Sequence, residues 1–302
     1  MSVSKRALQV FGLGQCSLDC LGKIEAFPPP DVKCEFSDRV IQGGGPVATA
    51  LVALSRWGLS CSFAGMIGDD LFGRMIRASL AEEGIRTDGL VIREGFLSQF
   101  AFIAAEPAQS RRTIFWQRPT GPEIRPDEID IDAIRQVRVL HTDGLFMEAA
   151  LFACRTARQA GIPVVVDAGT LRDGMLDLVR LSDCIIASES FARALTGGDH
   201  PLDACRVLSA LGPRVAGVTL GGKGYVALHG RDVIQKPAYP VRAMDTTGCG
   251  DAFHAGFIYG LLQGWDVKKN LDLGAWAAAR VSLRMGGRSG IPSLSDLKEN
   301  GY

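Results

Sequence analysis

From about residue 45 to residue 300 the chain alternates short apolar runs with stretches whose apolar residues recur at helical spacing. That alternation predicts an α/β fold. Val10-Phe11-Gly12-Leu13-Gly14 reads as a buried strand entering a glycine turn. Val164-Val165-Val166-Asp167 and Cys184-Ile185-Ile186-Ala187 are short apolar runs suited to buried parallel strands, with a helical pattern between them. Gly43-Gly44-Gly45 opens a long helical run through Trp57, packed by Val47, Leu51, Val52 and Leu54. Two places break the alternation. Glu35–Gln42, and Leu97–Ala105 with Arg112–Gln117, read as strands without intervening helices, the second pair flanking a polar Pro-Ala-Gln-Ser turn as a hairpin.

One stretch carries candidate chemistry. Asp245-Thr246-Thr247-Gly248-Cys249-Gly250-Asp251 precedes a helical pattern with Phe253, Phe257, Ile258, Leu261 and Leu262 on it. Gly248 and Gly250 allow backbone angles closed to other residues, so successive N–H groups can line one concavity at a helix N-terminus and receive an anion. Asp251 at the edge of that cradle would repel a bound phosphate unless it has a role there. Two readings stand: a general base for a hydroxyl attacking a phosphoryl group, or a helix cap.

Composition narrows the function classes. The 302 residues, 47% of them hydrophobic, can bury a large core, and 33 Lys+Arg against 33 Asp+Glu point to neither nucleic acid nor an anionic membrane. Arg111-Arg112 and Arg118 read as solvated or substrate-facing loop charges. The eight cysteines stand singly, without metal-ligand spacing, which suits a reduced cytoplasmic setting. Lys5-Arg6 before Ala7–Leu13 only faintly imitates a leader, and no run reaches the ~20 apolar residues of a membrane span. A dinucleotide fingerprint beginning at Gly12 and Gly14 fails because Ser17 stands where its third glycine belongs, which opposes an NAD-dependent oxidoreductase.

The nine residues Asp245–Phe253 resemble the C-terminal signature of the ribokinase-like (PfkB) carbohydrate kinases, Asp-Thr-x-Gly-x-Gly-Asp-x-Phe, at every fixed position. The resemblance runs from Val10 to about Pro292. It implies a three-layer α/β/α fold with a mostly parallel sheet, as a single domain over 1–302 with a small β-sheet lid from about 33–42 and 97–118. It further implies that Gly248, Cys249 and Gly250 form an anion hole and that Asp251 is the catalytic base. Asp19, Gly44, Gly45 and Thr49 would hold the acceptor, with Thr49 standing where the family usually has asparagine. Bare glycine there would let a sugar approach closely.

On the nucleotide side the resemblance implies Ser188 and Glu189, which depart from the family's Asn-x-x-Glu, and Thr219, Gly221, Lys223 and Gly224 in a glycine-rich loop. Glu189 would take over magnesium-water contacts. Lys223 is read either as a phosphate contact or as a solvated turn lysine. Asp245 and Thr247, with carbonyls of Val281 and Gly286, would flank a monovalent cation, although Gly290 removes a side-chain ligand and puts potassium dependence in doubt. Phe63–Gly73 resembles the family's strand and Gly-Asp-Asp turn and reads as scaffold.

The expected activity is ATP- and Mg²⁺-dependent phosphorylation of a sugar or sugar-like hydroxyl, with a homodimer through the lid. A nucleoside or phosphosugar kinase, and a catalytically inactive binding regulator, are the alternatives. The Gly43–Ala50 and Gly286–Pro292 stretches look closer to a branch that includes sulfofructose kinases, with Lys33 as a partner for an anionic acceptor group.

Overall fold

The computed structural model describes residues 7–109 and 111–302. Lys5, Arg6 and the last residue of the Pro-Ala-Gln-Ser turn, Ser110, lie outside them. The strands in chain order are β1 (Val10–Leu13), β2 (Ser17–Lys23), β3 (Ser37–Gly44), β4 (Cys61–Gly68), β5 (Arg86–Arg93), β6 (Phe100–Glu106), β7 (Arg111–Gln117), β8 (Val139–Thr142), β9 (Val164–Ala168), β10 (Cys184–Ser188), β11 (Val215–Thr219), β12 (Tyr225–His229) and β13 (Asp232–Lys236). The helices are α1 (Pro46–Arg56), α2 (Leu71–Glu82), α3 (Ile131–Arg135), α4 (Met147–Gln159), α5 (Met175–Leu181), α6 (Glu189–Thr196), α7 (Pro201–Ala210), α8 (Cys249–Gln263), α9 (Val267–Val281) and α10 (Leu294–Glu299).

Nine strands form one sheet in the order β13-β12-β11-β10-β9-β8-β1-β4-β5. Strand β12 runs antiparallel to both its neighbours, and the rest of the sheet is parallel. Both faces of the parallel strands are covered, which is why they read as continuous apolar runs. On β1, Val10 packs into the layer of α1, α8 and α9, while Phe11 and Leu13 join the layer of α4–α7. Gly12 is glycine because a side chain there would meet Val47 and Leu51 of α1 at 2.6 Å. The order reverses at β1, with β4 on one side and β8 on the other, so a crevice opens at the carboxyl ends of these strands.

Helix α8 is punctuated by glycines. Gly248 precedes it at φ 76° and Gly264 follows it at φ 73°, left-handed positions that favour residues without a Cβ. It packs on α9 at Gly256 and Gly274, where a Cβ on Gly256 would come within 2.6 Å of the Gly274 backbone. Gly256→Ala is therefore expected to lower stability by about 1–3 kcal/mol, read as a lower urea midpoint at unchanged slope.

A second, separate sheet has the order β3-β2-β6-β7. The lid strands are thus not an edge of the main sheet. The β6–β7 hairpin pairs Phe102 with Phe115 and Ile103 with Ile114, in line with expectation. Two boundaries differ. The strand expected from residue 33 or 35 begins at Ser37 and runs through Gly43 and Gly44, because those glycines pair with Leu18 and Ser17. Strand β2 was not anticipated, although it is central to the lid, antiparallel to β3 and parallel to β6.

Candidate active site

The turn before α8 leaves its N–H groups free. Among the described residues, the N–H groups of Gly248, Gly250 and Asp251 have no acceptor, and that of Cys249 makes only a long 3.4 Å contact to the Thr246 carbonyl. Four orphan donors at a helix start are normal, but here no side chain caps them. Gly250 lies in the first helical turn, not in a left-handed conformation as its glycine suggested; a Cβ there would meet nothing within 4 Å, so its surface is open. The Cys249 thiol points away, donating to the Ala278 carbonyl at 3.4 Å, and burial pushes its pKa up to about 12. Cys249 can contribute only through its backbone.

Asp251 is partly open to solvent but ringed by protein and by other carboxylates. Burial, then the charges of Asp167 and Asp19, raise its pKa well above the ordinary carboxylate value, against the opposing pull of Arg288. The helix-cap alternative fits poorly, since the cap position is Gly248 and no hydrogen bond to the Asp251 carboxylate is formed among the described residues.

Asp19 sits on β2 and is buried, held by a 2.6 Å hydrogen bond from the Ser17 hydroxyl. It is not the solvated loop residue that its polar surroundings allow. Burial raises its pKa. The glycine run opposite makes room for charged side chains. A Cβ on Gly44 would fall 2.1 Å from the Asp19 carboxylate, and one on Gly43 would fall 2.4 Å from the Arg288 guanidinium. The space a side chain would fill is taken by these two charged groups. Gly45, at φ 97°, starts α1 against the Gln15 carbonyl, and Thr49 is buried one turn further on.

A cleft of about 550 Å³ adjoins the free N–H groups. Thr219, Gly221 and Gly224 line one side, Tyr239 and Val241 another, and Ala275 and Ala278 of α9 a third, with Cys249 and Gly250 at one end. Its size and mainly apolar lining suit a small-molecule ligand with a flat apolar part.

The sequence pattern of the pfkB family carbohydrate kinases matches residues 8–294. The chain belongs to the PfkB family of carbohydrate kinases. It is 27% identical to a 5-dehydro-2-deoxygluconokinase of Shouchella clausii over 97% of this chain and 95% of that one. It is also 27% identical to a ribokinase of Haemophilus influenzae, over 95% and 96% respectively. The fold superposes on an adenosine kinase of Sinorhizobium meliloti at a TM-score of 0.84 and 20% identity, covering 98% of this chain and all (100%) of the other. The protein is a carbohydrate kinase on the ribokinase fold.

Within this PfkB kinase, several residues picked from sequence make local contacts. Ser188 caps α6, accepting from Phe191 N at 3.0 Å and donating to the Gly169 carbonyl at 2.8 Å. Glu189 and Lys223 pair with each other at 3.2 Å, and Glu189 also meets Arg193 at 3.1 Å. Exposed pairs of this kind hold weakly, so either partner can be released to a ligand. No hydrogen bond or ion pair joins Lys33 to Asp19 or Asp251 among the described residues; it lies exposed ahead of β3. The Gly-Asp-Asp turn is scaffold, with Asp70 capping α2 and accepting from both the backbone and hydroxyl of Ser98.

Asp245, Thr247 and Gly286 are joined by hydrogen bonds, while the Val281 carbonyl accepts from Arg284 N at 3.2 Å. One Asp245 oxygen accepts from the N–H and hydroxyl of Thr247 (2.9 and 2.7 Å), the other from Gly286 N at 2.8 Å. Gly290 is packed against the Val281 carbonyl, where a Cβ would come within 2.5 Å.

Three further groups were not singled out. Asp143, beyond β8, accepts from Gln15 N and Leu145 N at 2.9 Å, and burial raises its pKa to about 6. Its signal was an acid directly after the short run Val139-Leu140-His141-Thr142, at the carboxyl end of a parallel strand. Arg288 is buried, among the described residues no carboxylate lies within ion-pair distance of it, and burial depresses its pKa to about 10. His254 of α8 contacts the Gly250 carbonyl at 2.8 Å and the Asp167 carboxylate at 3.5 Å, bracing the first turn of the helix; nothing local in the sequence marks it.

Proposed function

We propose that the protein transfers the terminal phosphoryl group of ATP to a hydroxyl of a sugar or sugar-like acceptor, with Asp251 as general base. The observation that carries this reading is the junction of uncapped N–H groups and a carboxylate of raised pKa in one helical turn. An anion docked on Gly248, Gly250 and Asp251 N–H would have its charge balanced by fixed dipoles that need no reorganisation. The Asp251 carboxylate takes the acceptor's proton as that oxygen attacks phosphorus, and its raised pKa suits it to the task.

Asp19 accepts hydrogen bonds from acceptor hydroxyls, with Gly44 keeping its carboxylate in place. The cleft takes the nucleotide, its glycine-rich side formed by Thr219, Gly221 and Gly224. Mg²⁺ would be held with the phosphates, mostly through water. Asp245, with the carbonyls of Val281 and Gly286, would hold a monovalent cation that neutralises the base of the anion hole; the hydrogen bond from Gly286 N to Asp245 supports this. The exposed Ile41, Phe115 and Trp116 of the lid sheet favour pairing of two lids in a dimer.

The test is coupled ADP release with MgATP across hexoses, pentoses, ketoses, phosphosugars, sulfosugars and nucleosides, with and without K⁺. Acceptor-dependent release is expected for one chemical class. Asp19→Ala should raise the acceptor KM about 100-fold, as two charge-assisted hydrogen bonds are lost, and leave ATP binding unchanged. Silence across the panel from a protein that binds MgATP would instead favour a binding-only regulator.

A further inference from the structure

The cleft wall formed by residues 237–243 has no regular secondary structure. Among the described residues no backbone hydrogen bond fastens it; the first comes after it, from Met244 N to the Ser282 carbonyl at 2.8 Å. Among the described residues, every hydrogen bond made by residues 237–243 passes through one atom, the Tyr239 hydroxyl. That hydroxyl donates to Asp272 Oδ1 at 2.8 Å. Tyr302, beyond α10, donates to Asp272 Oδ2 at 3.1 Å and lies 3.1 Å from the Tyr239 hydroxyl. Lys236 Nζ donates to Asp272 Oδ1 and, at 3.1 Å, to Tyr239. The Tyr302 ring is itself seated on Trp276, with centroids 5.4 Å apart.

Asp272 stands one helical turn before Ala275 on α9, the helix that supplies another side of the cleft. A single carboxylate therefore joins two walls, and its second oxygen is occupied by Tyr302. We propose that Asp272 and Tyr302 form a positioning latch that sets the width of the cleft, and so the affinity for the nucleotide and the choice of base, without touching the nucleotide. This rests on the reading of the cleft as the nucleotide site. A loop held in its binding conformation spares the ligand the cost of ordering it. Releasing the loop lowers the fraction of protein competent to bind, and the apparent Kd rises by the inverse of that fraction. A loose wall also discriminates poorly between bases of different shape and edge chemistry.

The experiment compares the full-length wild-type chain with Tyr302→Phe and Asp272→Asn by calorimetric binding of MgATP and MgGTP, and by KM for each substrate. Tyr302→Phe removes one oxygen and keeps the ring on Trp276, so it tests the latch even if Asp272→Asn folds poorly. Both variants are expected to weaken MgATP binding about 10- to 100-fold, the effect of losing a hydrogen bond to a charged group. The preference for ATP over GTP should narrow, with acceptor KM within twofold and kcat at saturation retained. Tyr302→Phe and Tyr239→Phe should be non-additive, because both act through Asp272. Unchanged MgATP affinity in the variants, or an acceptor KM that rises in step with the ATP KM, overturns the latch. A wild-type protein that binds no MgATP overturns the nucleotide reading on which it rests.

Discussion

Asp251→Asn is expected to fold, to bind MgATP, and to lose about 10²- to 10⁴-fold in turnover, the range of a positioned general base. The same substitution is expected to stabilise the protein without ligand at neutral pH. Asp251 is held above its ordinary value of 3.8 by burial and by Asp167 and Asp19. Between the unfolded and folded values the native state binds more protons than the unfolded chain, so stability falls as pH rises through that window. Asparagine carries no charge and escapes the penalty. The gain in Tm should be full above the folded pKa, shrink as pH falls through the window and vanish below the unfolded value. In the wild type the acidic limb of kcat/KM should lie above the ordinary carboxylate range, since the base works only when ionised. Thermal melts over pH together with single-turnover phosphoryl transfer check both halves. Full turnover in the asparagine variant would remove Asp251 as the base, whatever its effect on Tm.

The second large effect is expected at Gly248. Alanine there must adopt φ near 76° and place its Cβ 2.4 Å from the Gly287 Cα. A left-handed alanine costs about 1–2 kcal/mol, and the obstacle is backbone, which cannot swing aside as a side chain can. The turn has to open, and its N–H groups lose their alignment. A fall in kcat of about 10²- to 10³-fold is expected, comparable with losing one donor of an oxyanion hole. Gly250→Ala is the internal comparison: its Cβ would meet nothing, so the fold should be undisturbed and any loss should come from obstruction of the anion. Measured stability and kcat for the two variants separate the cases. Near-normal turnover in Gly248→Ala would mean that the turn is not the anion hole.

The lid shows where pattern reading stops. The β6–β7 hairpin was legible because apolar residues alternate on both sides of a polar turn. Strand β2 was not: Ser17–Lys23 mixes Asp, Cys, Gly and Lys within a run that turns out almost wholly buried, so neither alternation nor a continuous apolar run marks it. The charges of the site behave alike. Asp19 could be chosen by resemblance, but its burial, and the reason Gly44 faces it, depend on β2 and β3 lying side by side. Ser188 and the Glu189–Lys223 pair make contacts within a few residues or across adjoining strand ends, which the linear sequence does not show.

By itself the sequence determined the alternating α/β order, the hairpin of the lid and the turn at Gly248–Asp251. Each of these rests on interactions among residues close in the chain: strand and helix periodicity, the freedom of glycine, the unpaired N–H groups of a helix start. Only the tertiary structure decided which side chains fill the space left by Gly43 and Gly44, how burial with Asp167 and Asp19 raises the pKa of Asp251, and that Asp272 joins two walls of the cleft. Those contacts link residues that are distant along the chain, and their energies depend on burial and separation, which exist only once the layers have packed.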